Sequence, residues 1–248
     1  TSRATDDPEG GVRLLRTLDW PFHGLGRNLV VARHDTSLGP FYNVTWPGFL
    51  GVITAVAPGR FAVAINQAPI LKTGPSWLPY PWAVDWLIGR FRVFMHKRIV
   101  PAFLLRRVFE TCRSYQEARK TLESTSVALP VFYVLSGLKP GEHSVIERLP
   151  ERAEIYETAA VVANEWLSAD LAGRVRGRSN RERCSALQNY ALTAGVDGQS
   201  EPFDWLSPPV LNPNTRLVLS TNAAGGALFV QGYEKDGPVT KVRRIAFT

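Results

Sequence analysis

The chain has 248 residues, of which 45% are hydrophobic and 21% charged, and a net charge of +7. That is enough to bury one sizeable core in a single domain, residues 1–248, and two cysteines are too few for a disulfide framework. The basic balance permits a nucleic-acid partner, but no helix-turn-helix, RRM or zinc-finger pattern accompanies it, and no apolar run reaches membrane-spanning length, so neither class is expected.

Residues 2–5 and 12–19 read as strands folded into a hairpin by Asp6-Asp7-Pro8-Glu9-Gly10-Gly11, which brings the end of the second strand beside Thr1. The first residue is not Met, which points to initiator removal, trimming or autoproteolysis. Arg16 and Asp19, three apart on a strand, leave opposite faces unless a bulge or bend re-aims one of them. An aromatic loop, Trp20 to Gly26, follows, then a short buried strand at 29–32. Asn43-Val44-Thr45 fits a glycosylation sequon but lies in a strand-like run, which makes it a chance match. Residues 51–57 and 60–66 are apolar strands joined at Pro58-Gly59, with Asn66 closing the second.

Residues 75–122 form an aromatic, basic helical segment. Trp82, Trp86, Leu87, Phe91, Phe94 and Met95 recur at helical spacing, a second helix runs over 101–112, and a third starts after a Ser114 cap. The first reading is of helices covering one face of a sheet; the second is of a segment lying on a membrane surface. Strand signals return at 127–136, 144–148, 153–156 and 159–163, ahead of Asn164. Arg174, Arg176, Arg178, Arg181 and Arg183 are opposed only by Glu182 and read as a solvated run, followed by a helix over 179–193 and a loop over 195–214. Closing strands lie at 215–219, 227–231 and 239–247. Cys112 and Cys184 read as packed thiols. The four histidines have neither metal-ligand spacing nor a G-x-S-x-G serine to serve, so no metal and no cofactor is expected.

Four blocks carry a resemblance. Thr1-Ser2 with Arg16-x-x-Asp19-Trp20, the stretch from Val44-Thr45-Trp46-Pro47 to Ala64-Ile65-Asn66, Ala163-Asn164-Glu165-Trp166, and Arg183 near the start of a helix recur in that order across residues 1–187. Together they resemble the mature catalytic chain of the N-terminal nucleophile (Ntn) hydrolases of the acid ceramidase and choloylglycine hydrolase group. That resemblance implies an α+β fold, a four-layer αββα sandwich of two antiparallel sheets. It also implies an amidase acting on a linear amide of an N-acyl, lipid-like substrate, and an upstream segment that is cleaved and retained as a second chain.

The resemblance assigns the roles as well. The group uses a cysteine nucleophile followed by Thr-Ser, and gapless alignment of Arg16 and Asp19 places that cysteine immediately before Thr1. Either a cysteine precedes Thr1 or Thr1 itself attacks, with its own α-amine as base; the gapless spacing favours the cysteine. Asp19 would orient the amine and Arg16 would favour the ionised nucleophile. Asn66, by its main-chain N–H, and Asn164, by its side-chain amide, would form the oxyanion hole, and Arg183 would stabilise the site's charge. Trp20 and Trp46 would border the acyl-binding mouth. An acyltransferase of the same fold, and a non-catalytic member that binds acyl ligands or membranes, are the alternatives.

Overall fold

The computed structural model describes residues 1–75, 77–78, 80–158, 160–191 and 202–247. In chain order the first elements are β1 (Ser2–Asp6), β2 (Val12–Asp19), β3 (Val30–His34), β4 (Phe41–Thr45), β5 (Thr54–Ala57), β6 (Phe61–Gln67) and β7 (Ile70–Leu71). Three helices follow, α1 (Trp82–His96), α2 (Pro101–Thr111) and α3 (Tyr115–Ser124), then β8 (Val131–Ser136), β9 (His143–Arg148), β10 (Ala153–Tyr156), β11 (Val161–Val162) and β12 (Gly173–Arg174). Helix α4 (Asn180–Asn189) and strands β13 (Thr215–Asn222), β14 (Ala227–Glu234), β15 (Gly237–Pro238) and β16 (Arg243–Ala246) complete the order.

The strands form two large antiparallel sheets. One runs β11-β1-β2-β13-β14-β15, with β16 also on β14; the other runs β10-β9-β8-β6-β5-β4-β3. Alternation along each strand builds three apolar layers. Leu14 and Leu18 of β2 meet Ala62, Ala64, Phe132 and Val134 of the second sheet in a core between the sheets. Tyr133 and Leu135, on the other face of β8, pack with Leu104, Val108, Phe109 and Leu122 of α2 and α3. Leu15 and Val218 pack with Leu187 of α4 and with Trp205. The layers are therefore helix, sheet, sheet, helix, the expected αββα sandwich.

Local chemistry explains the joints. The β1–β2 turn carries left-handed Gly10 and Gly11, and Asp7 holds it by accepting from Glu9 N at 3.1 Å, from Arg13 Nε at 2.7 Å and from Asn222 Nδ2 at 2.8 Å. Helix α3 starts on Ser114, whose hydroxyl accepts from Glu117 N at 3.2 Å. The aromatic loop is pressed against β14, where Gly26 and Gly232 touch backbone to backbone. A Cβ on Gly232 would fall 1.9 Å from Gly26 O, so neither position admits a side chain.

Several expectations are corrected. The strand at 29–32 is not buried: β3 is an edge strand of exposed and half-buried residues, because among the described residues one of its flanks has no neighbouring strand. The first reading of residues 75–122 holds for α2 and α3 but not for α1. Among the described side chains of α1 only Asp85 is buried, and the helix joins none of the three cores. The expected strand at 159–163 is reduced to Val161–Val162, and the helix expected over 179–193 ends at Asn189, with the extended Tyr190 as its C-cap; residues 192–201 lie outside the described residues. Asn43 is buried within β4, which agrees with the sequon being a chance match.

Candidate active site

The chain start is a strand residue. Thr1 N donates to Thr17 O at 3.0 Å and Thr17 N donates to Thr1 O at 2.9 Å, so Thr1 pairs with Thr17 one step beyond the Ser2–Arg16 pair. Side chains alternate outward from that register. Ser2, Ala4, Leu14, Arg16 and Leu18 face the other sheet, whereas Thr1, Arg3, Thr17 and Asp19 face α4. The Thr1 amine is enclosed on the α4 side, where it also contacts Thr17 Oγ1 at 3.3 Å. Burial lowers its pKa to about 5, with Asp19 acting in the opposite direction.

Arg16 is 3% exposed, and its Nε and Nη1 have no partner among the described residues. Burial pushes its pKa down while Asp19 opposes the shift. A buried guanidinium with free donors costs stability, and it is suited to a bound anion.

Asp19 leaves β2 on the opposite face from Arg16, as strand parity requires. A bulge at Arg216, between the Thr215–Asp19 and Leu217–Leu18 pairs, breaks the register beside it. Asp19 accepts from Thr215 Oγ1 at 3.0 Å and forms an ion pair with Arg183 Nη1. Arg183, 3% exposed in the first turns of α4, is held in turn by Asn180 Oδ1 and by Asn164 Oδ1 at 3.4 Å. Left-handed Gly177 passes close by, and a Cβ there would lie 3.1 Å from Arg183 Nη2.

Asn66 and Asn164 lie on adjoining segments. Asn66 Oδ1 accepts from Ser2 Oγ at 2.6 Å, and its Nδ2 donates to Val162 O at 3.2 Å and Ala163 O at 3.3 Å. The side chain of Asn66 therefore ties β1 to the segment that carries Asn164. Asn164 Nδ2 donates to Gln67 O at 2.8 Å.

Thr1, Arg16, Asp19, Asn66 and Asn164 line one cavity of about 350 Å³, whose remaining wall is mainly apolar and includes Trp20, Trp46, Phe49, Ile53, Ile65 and Val131. Trp46 is fixed by its Nε1 donating to Leu25 O at 2.7 Å. Arg183 lies outside this cavity and reaches it through Asp19 and Asn164. All the sequence-derived site residues are thus gathered at one end of the sandwich.

Sequence reasoning missed Arg216, which is fully buried. Its Nε donates to Phe22 O at 2.8 Å and its Nη1 to Pro213 O at 3.0 Å, while Glu234 stands 3.5 Å away, and these contacts anchor the aromatic loop. An arginine inside an otherwise apolar closing strand, Thr215-Arg216-Leu217-Val218-Leu219, was the available signal. Among the described residues no cluster of His, Cys, Asp and Glu is arranged to hold a metal.

No family model matches the chain. Mouse acid ceramidase is 31% identical over 131 residues, 52% of this chain and 30% of the relative; bovine acid ceramidase is 27% identical over 175 residues, 63% and 41%. The chain thus spans well under half the length of these relatives. Among solved structures, a Caenorhabditis elegans orthologue of N-acylethanolamine-hydrolysing acid amidase superposes with a TM-score of 0.66 at 18% identity, over 90% of this chain and 92% of that one. A mutant of conjugated bile acid hydrolase from Clostridium perfringens gives 0.60 at 9% identity, over 99% and 92%. Sequence and fold together make the chain an Ntn-hydrolase-fold relative of acid ceramidase.

Proposed function

We propose that the chain is the catalytic part of an amidase that cleaves the linear amide of an N-acyl, lipid-like substrate through an N-terminal nucleophile. The observation that carries this reading is the partnerless, buried guanidinium of Arg16 beside the chain start, in an otherwise mostly apolar cavity. The acyl group enters the cavity between Trp20 and Trp46, and the carbonyl carbon comes to rest at the chain start.

The nucleophile is a cysteine immediately before Thr1. By strand parity a residue at that place continues the Ser2 face and shares the inter-sheet side with Arg16, whereas the Thr1 side chain faces α4 and its nitrogen is already used in the ladder. The cysteine thiol passes its proton to its own α-amine, and the sulfur attacks the carbonyl. The amine then protonates the departing nitrogen, and water hydrolyses the thioester to release the acid and restore the thiol. Arg16 favours the thiolate, and Asp19, braced by Arg183, orients the amine. The second N–H of Asn164 Nδ2 serves the oxyanion, whereas Asn66 N–H, opposite Phe132 and next to an Ile65 N turned to Ile53 O, is directed into the β6–β8 ladder, and the Asn66 side chain positions the segment that carries Asn164.

The partner surface is α1. Its exposed Trp82, Trp86, Phe91 and Phe94 are interleaved with Arg90 and followed by Lys97, and the chain continues directly to Val100 and Pro101 at the cavity wall. We assign this face to the lipid aggregate that presents the substrate; a retained upstream segment is the competing occupant.

The test is the intact mass and first residue of the large chain made from the full-length gene, together with turnover of an N-acyl amide. A chain that begins Cys-Thr-Ser, and that loses cleavage and turnover when the cysteine becomes alanine, establishes the reading. A chain that begins at Thr1 and loses turnover on Thr1→Ala moves the nucleophile to threonine, and an intact precursor without turnover refutes the amidase.

A further inference from the structure

The amide assigned to the oxyanion, Asn164 Nδ2, sits outside the sheets, on the segment that joins β11 to β12. Such a group needs support, because misplacing it by about 1 Å costs on the order of 100-fold in rate. The support is a row of side chains across β6, β8 and β9. Phe132 is the register partner of Asn66 on one flank and of Glu147 on the other, so all three leave the same face of the second sheet.

That row follows the Asn164 segment from end to end. Asn66 Nδ2 donates to Val162 O and Ala163 O, just ahead of Asn164. The Phe132 ring meets Trp166 edge-on at 5.7 Å between centroids, and Trp166 is pressed on Gly173, where a Cβ would fall 2.2 Å from its Nε1. Glu147 Oε2 accepts from Leu167 N at 2.7 Å and from Ser168 N at 3.3 Å, while Oε1 accepts from Ser168 Oγ. Asn164 is therefore clamped on both sides.

Glu147 is the unexpected clamp. It is fully buried, no cation pairs with it among the described residues, and the hydrogen bonds of its carboxylate there all go to Leu167 and Ser168. An apolar residue in its place would simply extend the core that Phe132 and Val145 share, so the unpaired carboxylate costs stability. What it adds is position, since two amides and a hydroxyl converge on one charge, and such bonds are about twice as strong as neutral ones.

Resting on the amidase reading above, we infer that Glu147 is a positioning residue that aims Asn164 at the oxyanion. It lies outside the acyl cavity and acts only through the segment it holds. An oxyanion forms both when the acyl-enzyme is made and when water breaks it, so loss of aim slows both steps, lowering kcat and leaving KM nearly unchanged.

The test is steady-state turnover of N-lauroylethanolamine and N-lauroylsphingosine by the full-length, processed protein, with melting temperatures on the same samples. Glu147→Ala is expected to lower kcat about 10- to 100-fold, with KM within about twofold. Glu147→Gln, which keeps one carbonyl oxygen for the two amides, recovers most of the loss. In an Asn164→Ala background, where the donor is already gone, Glu147→Ala costs less than about threefold more, because residues that act as a unit are not additive. A general weakening of the fold would instead carry through both backgrounds. Should Glu147→Ala fail to fold, Ser168→Ala deletes only the hydroxyl contact and is expected to lower kcat about threefold, again not in the Asn164→Ala background. A kcat unchanged in the folded variant, or equal losses with and without Asn164, overturns the positioning role while the amidase stands. Turnover of neither amide by the parent overturns the amidase, and the role of Glu147 with it.

Discussion

Arg183 of α4 and Asp19 of β2, 164 residues apart in the chain, form an ion pair that fastens a helix of the outer layer to the strand end beside the chain start. Arg183 is almost wholly buried and Asp19 retains some exposure, so each desolvated charge depends on the other. Replacing Arg183 by Met is expected to cost about 2–3 kcal/mol in urea unfolding, because it strands the carboxylate. The double change Asp19→Asn, Arg183→Met recovers part of that stability and none of the turnover. A single Arg183→Met variant as stable as the parent would sink the argument.

Arg16 predicts the opposite balance. Its partnerless guanidinium destabilises the fold, so Arg16→Met is expected to raise the melting temperature by a few degrees, corresponding to roughly 1 kcal/mol. Amide turnover falls at least about 100-fold, because the nucleophile loses its counter-charge. Calorimetry with kinetics on one preparation checks both. A drop in melting temperature would mean that Arg16 serves the fold and is not held for an anion.

Much of this was legible in the sequence because local rules and tertiary packing agree there. The Asp7–Gly11 turn, the Pro58-Gly59 hairpin and the Ser114 cap each fix a backbone conformation with their own side chains or glycines, and each appears where the pattern places it. Periodicity could not show whether α1 had anything to cover, since an aromatic stripe looks the same on a buried face and on an exposed one. Nor could it place Arg216, whose partners Phe22 and Glu234 are brought to it by the contact between Gly26 and Gly232. For the site, strand parity already set Arg16 and Asp19 on opposite faces, and what the register adds is that the bulge falls on the neighbouring strand, so neither is re-aimed, and that Thr1 shares the Asp19 side.

The Thr1 amine yields a prediction about pH. In the chain that begins at Thr1, burial depresses the amine to about 5, against 8.0 for the free group. Between those values the unfolded chain binds a proton that the folded chain does not, so stability rises from pH 5 to pH 8 and is lost as pH falls through the window. The difference is up to about 4 kcal/mol. One added residue turns that nitrogen into an amide and removes this contribution. Unfolding of the two forms at pH 5.5 and pH 8 is the measurement, and an equal pH dependence would show that the amine is not enclosed in the ladder.

Among the described residues, the buried carboxylate of Asp85 ties helix α1 to the body. Asp85 Oδ1 accepts from Thr73 N at 3.0 Å and Thr73 Oγ1 at 2.8 Å, and Oδ2 accepts from Arg174 Nε at 2.9 Å. These bonds hold the carboxyl below the usual carboxylate range. On the outer side Phe91 is 62% exposed and Phe94 82%, so neither contributes to a core. Changing both to Ser is expected to leave folding stability within about 0.5 kcal/mol, as for surface sites in general. The same change weakens sedimentation with phosphatidylserine-containing vesicles several-fold, because it removes the apolar anchor while Arg90 and Lys97 remain. Activity on substrate presented in those vesicles falls further than activity on dispersed substrate. If the double variant unfolds, α1 packs against something that supports it, and the upstream segment becomes its occupant; if vesicle binding is unchanged, the lipid assignment fails.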